Sequence, residues 1–120
     1  MVSLSRLKDS FSYAGEGFKF AYKNDQNFRI HLVAAFLVIT LAIILQVERT
    51  DFLILLVMIL LVLWAEMINT TVEKIVDLIT QEHRVSAKVA KDVSSAMVLL
   101  TAVGAAIIGI YIFWPYVFGM

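Results

Sequence analysis

No cysteine occurs anywhere in the sequence, which removes disulfides, thiolate zinc sites and cysteine nucleophiles together. Histidine is nearly as scarce, and His31 and His83 alone do not make a histidine-based metal cluster. The net charge is zero, so there is no basic footprint for nucleic acid. No GxxxxGK[ST], no GxGxxG and no kinase HRD or DFG set is present. A nucleotide, if bound, is held without a standard phosphate loop. Residues 1–28 are polar or amphipathic and lack an apolar h-region, so no cleavable leader is expected. The first long apolar run then acts as a retained membrane anchor.

What the chain has in excess is apolar surface. Of its residues 61% are hydrophobic, against about 45–50% in a soluble domain. The mean hydropathy is +0.86. A bilayer is the solvent that such a composition suits, and one domain over residues 1–120 is the natural size. Leu4, Leu7, Phe11, Ala14, Phe18 and Tyr22 recur at helical spacing, with Arg6, Lys8, Asp9 and Lys19 mostly off that stripe. Residues 3–23 therefore read as an amphipathic helix lying in the membrane interface. The polar break Asn24-Asp25-Gln26-Asn27 offers a turn with helix-cap chemistry.

Three apolar spans follow, over residues 30–47, 51–79 and 92–118. The first is broken only by His31, Thr40 and Gln46, and Glu48-Arg49-Thr50-Asp51 reads as a tight polar hairpin after it. Phe52 to Ala65 is too short to span alone, so the second helix continues through Glu66 and Asn69. Thr80 to Lys91 reads as a polar loop, and Val93 to Met120 as the third apolar run. The expected fold is an all-α integral membrane protein, with one amphipathic surface helix and three transmembrane helices. Lys and Arg cluster before the first span and around the second loop, which predicts a cytoplasmic N-terminus in a multi-pass cell-membrane protein. Tyr111, Trp114 and Tyr116 would form the outer aromatic belt. Ala105 and Gly109 give a weak small-xxx-small signal for helix packing.

The second span carries the chemistry. At about 100° per residue, Asn69 lies about −60° from Glu66, Thr70 about +40°, Glu73 about −20° and Asp77 about +20°. Ile68, Val72, Ile75 and Ile79 take the opposite side. An unpaired carboxylate facing lipid costs several kcal/mol, so the polar stripe faces other helices or a wet cleft. Like charges this close call for cations, counter-charges or a shared proton. Acids at graded depth suit a divalent cation near the interface and a proton acceptor deeper in, and Mg²⁺ favours carboxylate and phosphate oxygens. A second cluster, Ala90-Lys91-Asp92-Val93-Ser94-Ser95-Ala96, stands at the cytoplasmic mouth of the third helix. Lys91 sits where a phosphate would be met. Asp92 reads equally well as the cap of that helix.

Glu66-x-x-Asn69-Thr70-x-x-Glu73-x-x-Val76-Asp77, followed by Ala90-Lys91-Asp92, resembles the signature of the prokaryotic diacylglycerol kinase family. The upstream Gly17, Ala21 and Asn27-Phe28-Arg29 match as well, so the resemblance covers nearly the whole chain. It implies a small homotrimer with active sites between protomers, and transfer of the ATP γ-phosphate to a lipid hydroxyl with Mg²⁺. Carried over singly, Glu66 matches the catalytic base, and Asp25 and Glu73 match the metal-binding acids on the nucleotide side. Lys91 and Asp92 match nucleotide contacts, and Arg6, Tyr13, Glu82, His83 and Arg84 fall at further ATP-side positions. Arg29, Asn69, Asp77 and Ser95 match lipid-side or supporting positions. His31 stands where the diacylglycerol-specific branch typically has an acid, and the Asn27-to-His31 run looks more like the Gram-positive branch. The resemblance therefore implies an undecaprenol kinase that recycles the lipid carrier of cell-wall synthesis, with diacylglycerol as the alternative acceptor. The rival from another class is a small proton-coupled transporter using Glu66 as its intramembrane carboxylate.

Overall fold

A computed structural model describes residues 1–119; Met120, the last residue of the expected third apolar run, lies outside the described residues. Four helices follow one another: α1 (Leu4–Asn24), α2 (Gln26–Ile44), α3 (Arg49–Ile79) and α4 (Val85–Phe118). The last three are long and apolar enough to cross a membrane. α3 is central, packing on α2 along one side and on α4 along the other, while α1 rests on α2. At about 1.5 Å per residue, α3 rises about 46 Å and outruns a hydrocarbon core of about 30 Å.

Interior is scarce. Among the described residues only eight apolar side chains are buried, namely Ala21, Phe28, Ala42, Leu55, Val62, Ala65, Val98 and Ile112. Large side chains such as Phe36, Leu60, Trp64, Leu100 and Tyr111 lie open. In water that surface would drive aggregation, whereas acyl chains solvate it at no cost. The same logic explains α1, where only Ala21 is buried and the apolar stripe has no cover within the chain.

Local chemistry sets the helix ends, and they differ from the sequence reading in three places. The first break is a single residue. Asp25 closes α1, its N–H bonding the Ala21 carbonyl, and opens α2, its carboxylate accepting from the Phe28 N–H at 3.2 Å. Arg29 strengthens the joint, its guanidinium donating to the Tyr22 and Lys23 carbonyls that α1 leaves free. The second difference is at the hairpin. Leu45 to Glu48 make the turn, with Gln46 in the left-handed region at φ +52°, and Arg49 to Asp51 already belong to α3. The third is the loop read as running to Lys91, which ends at Arg84. Ala87, Lys88, Ala90 and Lys91 are good helix formers, and Lys88 pairs with Asp92 one turn on. Asp92 therefore lies two turns inside α4 and does not cap it.

Tyr116 also departs from the expected outer belt. Tyr111 and Trp114 stay exposed, but Tyr116 turns inward toward the α2–α3 turn. Its hydroxyl accepts from the Glu48 N–H at 2.9 Å and donates to the Asp51 carboxylate at 2.8 Å. Ala42, Leu55 and Ile112 pack just beneath, so this contact closes the far end of the bundle. Tyr116→Phe should lower stability by about 1–2 kcal/mol, because it strands a backbone donor and loses a charged acceptor. Thermal unfolding in detergent micelles checks this; an unchanged midpoint refutes the tie.

Candidate active site

The polar stripe of α3 faces inward at the end where α1 meets α2. Glu66 is 1% exposed and Asn69 7%, making Glu66 the most deeply buried large side chain among the described residues. Burial arises because Ala65, Glu66 and Asn69 sit on the α3 face that α2 and α4 cover. Farther along the same face the cover ends, so Glu73 and Asp77 are exposed. The stripe thus grades from a sealed carboxylate at Glu66 to open ones near the α3–α4 loop.

Asp25 reaches this stripe from the α1–α2 joint. The Thr70 hydroxyl lies 2.7 Å from the Asp25 carboxylate and 3.1 Å from the Glu66 carbonyl. Burial by itself raises the Asp25 carboxyl. The hydrogen bond from Thr70, the nearby Glu66 side chain, and the Phe28 and Asn27 N–H groups together outweigh that and hold it below its ordinary value. Asn69 turns its amide N–H toward Glu73 at 3.4 Å. Among the described residues three buried polar side-chain atoms have no partner: Glu66 Oε2, Asn69 Oδ1 and Ser94 Oγ. Unmet groups of this kind are rare in finished structures and cluster where a ligand completes the bonding.

A second set gathers at the α3–α4 loop. Asp77, Glu82, His83, Arg84, Lys91 and Asp92 line an open cleft of about 390 Å³. Lys91 Nζ lies 2.7 Å from Asp77 Oδ1, and Arg84 pairs with Glu82 at 3.1 Å. Arg6 and Tyr13 are exposed on α1 and do not line that cleft. Arg29 is engaged with the α1 carbonyls, as described, and Ser95 is exposed. Its neighbour Ser94 is the serine that faces inward, 5% exposed.

Sequence reasoning placed Thr70 on the stripe but gave it no role, and passed over Ser94. The signal for Ser94 was the α4 register, since Ser94, Val98 and Ile112 share the buried face. His31 was read only as a branch marker. Its ring Nε2 lies 3.9 Å from Glu66 Oε2.

An apolar cleft of about 460 Å³ runs from this point between α2, α3 and α4. Ala35, Leu55, Val62, Ala105 and Gly109 are among its walls. A Cβ on Gly109 would meet nothing within 4 Å, so the small pair Ala105/Gly109 opens space here and makes no tight contact within the chain.

Comparison with known proteins bears on the same residues. The prokaryotic diacylglycerol kinase family matches residues 12–113. The chain is 40% identical over 101 residues to a diacylglycerol kinase of Synechocystis sp., covering 83% of this chain and 58% of that protein. The chain thus spans under two thirds of that relative's length. It is 35% identical over 112 residues to an undecaprenol kinase of Bacillus subtilis, covering 93% of this chain and 91% of that one. A diacylglycerol kinase of Escherichia coli is 30% identical over 115 residues, covering 96% and 94%.

Glu66→Gln keeps the shape and removes the sealed carboxylate. If the site transfers phosphate, the rate should fall by a factor of about 10² or more, while nucleotide binding stays within a few-fold. Steady-state turnover alongside nucleotide titration checks this; normal turnover in the variant removes Glu66 from the chemistry.

Proposed function

Because the chain belongs to the prokaryotic diacylglycerol kinase family, we propose that it is an ATP-dependent undecaprenol kinase of the bacterial cell membrane. The observation that carries this reading is a fully buried carboxylate, Glu66, 3.9 Å from His31 of the apolar cleft and on the same helix as the open acids Glu73 and Asp77. A lipid lying along the cleft brings its terminal hydroxyl to Glu66, while phosphates approach from the loop side. The transporter reading loses its ground with the family match, since every named relative above is a lipid kinase.

The reaction divides among the residues as follows. Glu66 accepts the hydroxyl proton as the lipid oxygen attacks the γ-phosphorus. A new P–O bond forms, the β–γ bridging bond breaks, and ADP leaves. Lys91 offers positive charge to the phosphates, and Arg84 and His83 stand in the same cleft. Asn69 and Ser94 present unpaired oxygens toward the site, and Thr70 holds Asp25 in place.

Among the described residues no three acids or imidazoles gather into a metal cage. Mg²⁺ takes one or two carboxylates and completes its shell with water and phosphate oxygens. Asp25 and Glu73, both acting on Glu66, are the two carboxylates that would hold it. When bound, the ion neutralises phosphate charge.

The same reading includes a homotrimer with a cytoplasmic N-terminus. Two features support it. Arg6 and Tyr13 lie off the loop cleft of their own chain, and the apolar stripe of α1 is unpartnered. A neighbouring protomer would supply both contacts. For the acceptor, the Asn27-to-His31 run favours undecaprenol, as does the 35% identity to the Bacillus subtilis undecaprenol kinase against 30% to the Escherichia coli diacylglycerol kinase. Diacylglycerol is the second reading, favoured by the identity to the Synechocystis protein.

Purified protein in lipid micelles with labelled ATP and Mg²⁺ decides the matter. Label is expected in undecaprenyl phosphate, with undecaprenol outcompeting diacylglycerol at equal mole fraction. The reverse order would move the chain to the second acceptor, and no label in either lipid would sink the kinase reading. Glu73→Ala should raise the Mg²⁺ concentration for half-maximal rate by about tenfold or more, since one of two carboxylate ligands is lost. An unchanged metal dependence would take Glu73 out of the metal site.

A further inference from the structure

Glu66 and His31 each lack what the other has. Glu66 Oε2 is sealed from solvent with no hydrogen-bond partner, a state that costs the full desolvation of a carboxylate oxygen. His31 sits on the first turns of α2, one-fifth exposed, with its Nε2 3.9 Å from that same oxygen. Every other side chain lining the apolar cleft is aliphatic, aromatic, methionine or glycine, so His31 is its one polar wall among the described residues. Asp25, Asn69 and Glu73 also act on Glu66. Two of these are acids, and Asn69 donates one amide N–H to Glu73 at 3.4 Å. None of them bonds Oε2, and His31 Nε2, at 3.9 Å, is the imidazole donor that faces it. The gap exceeds a hydrogen bond by about 1 Å, within reach of a small ring or carboxylate rotation.

Resting on Glu66 as the proton acceptor of the kinase reading, we propose that His31 is its positioning residue. The ring Nε2–H donates to Oε2 when the acceptor lipid fills the cleft, and so fixes the rotamer in which the carboxylate meets the lipid hydroxyl. Oε2 is anchored by the imidazole, and the reacting proton is left to the other oxygen. The lipid does the closing. An alkyl chain in the cleft displaces water from around His31, and in the dry site the imidazole and the carboxylate are the partners available to each other. His31 then touches the reaction only through Glu66.

Three forms of the full-length protein test this in micelles containing undecaprenol: wild type, His31→Leu and His31→Gln. Leu removes the donor. Gln returns an N–H near the Nε2 position without a charge. The kcat of His31→Leu is expected to fall by about tenfold to a hundredfold, the scale for a misplaced reacting group, with the KM for ATP within about twofold. His31→Gln should recover most of the loss. Wild-type kcat in His31→Leu, or equal losses in Leu and Gln, would overturn the proposal. Should His31→Leu fail to fold, His31→Asn serves. Its shorter amide mimics Nδ1, so Gln active and Asn impaired supports the proposal, while equal rates refute it.

A readout independent of turnover keeps this separate from the kinase reading. The ¹⁵N resonance of His31 Nε2 should move when Glu66→Leu is introduced in lipid-loaded micelles. An unmoved signal overturns the contact whatever the acceptor proves to be. Wild type that phosphorylates neither lipid, with the resonance still moving, overturns the kinase reading alone.

Discussion

A carboxylate sealed inside an apolar bundle is the constraint on which the rest of the structure depends. Glu66 is 1% exposed in a helix that membrane lipid surrounds, and such a group persists only with polar neighbours. Each neighbouring element supplies one. The α1–α2 joint brings Asp25, α2 brings His31, and α3 itself brings Asn69 and Thr70. The surrounding packing is sparse, so these polar contacts carry more of the local order than the few buried apolar residues do. A polar cluster of this kind specifies one helix arrangement, because any register slip would leave a charge facing lipid.

The proposed function gives a reason for such a cost. On that reading, phosphoryl transfer to a membrane alcohol needs a base below the headgroups and a cation-holding acid above it. Glu66 and Glu73 on one helix would meet both ends of that requirement. α3 is long enough to carry Glu66 within the apolar layer and Glu73 and Asp77 beyond it. The apolar cleft and the charged loop cleft then lie at opposite approaches to the same stripe.

Much of this was legible in the sequence, for identifiable reasons. The three spans follow from uninterrupted apolar runs, and the α3 stripe from 3.6-residue periodicity, both local signals. Glu66, Asn69, Glu73 and Asp77 were placed on one face before any coordinates. What composition hid was contact between elements. Nothing in the local sequence says that Thr70 meets Asp25 across 45 residues, or that His31 faces Glu66. The start of α4 was missed because Arg84, Lys88 and Lys91 look like loop residues by charge, whereas their helix is held by an i,i+4 pair and sound propensity. Tyr116 was assigned to lipid because aromatic residues near a span end usually sit there, and only the fold shows it turned to Glu48 and Asp51. Ser94 against Ser95 is the same lesson in miniature: about 100° of helix rotation separates a buried side chain from an exposed one.

The single-residue joint at Asp25 has a mechanical meaning. One carboxylate starts α2, bonds to α3 and terminates α1, and Arg29 clamps the same corner. A joint with no slack transmits tilt. The direction in which α1 leaves the corner therefore fixes where Asp25 meets the stripe, and a tilt of α1 is felt at the carboxylate.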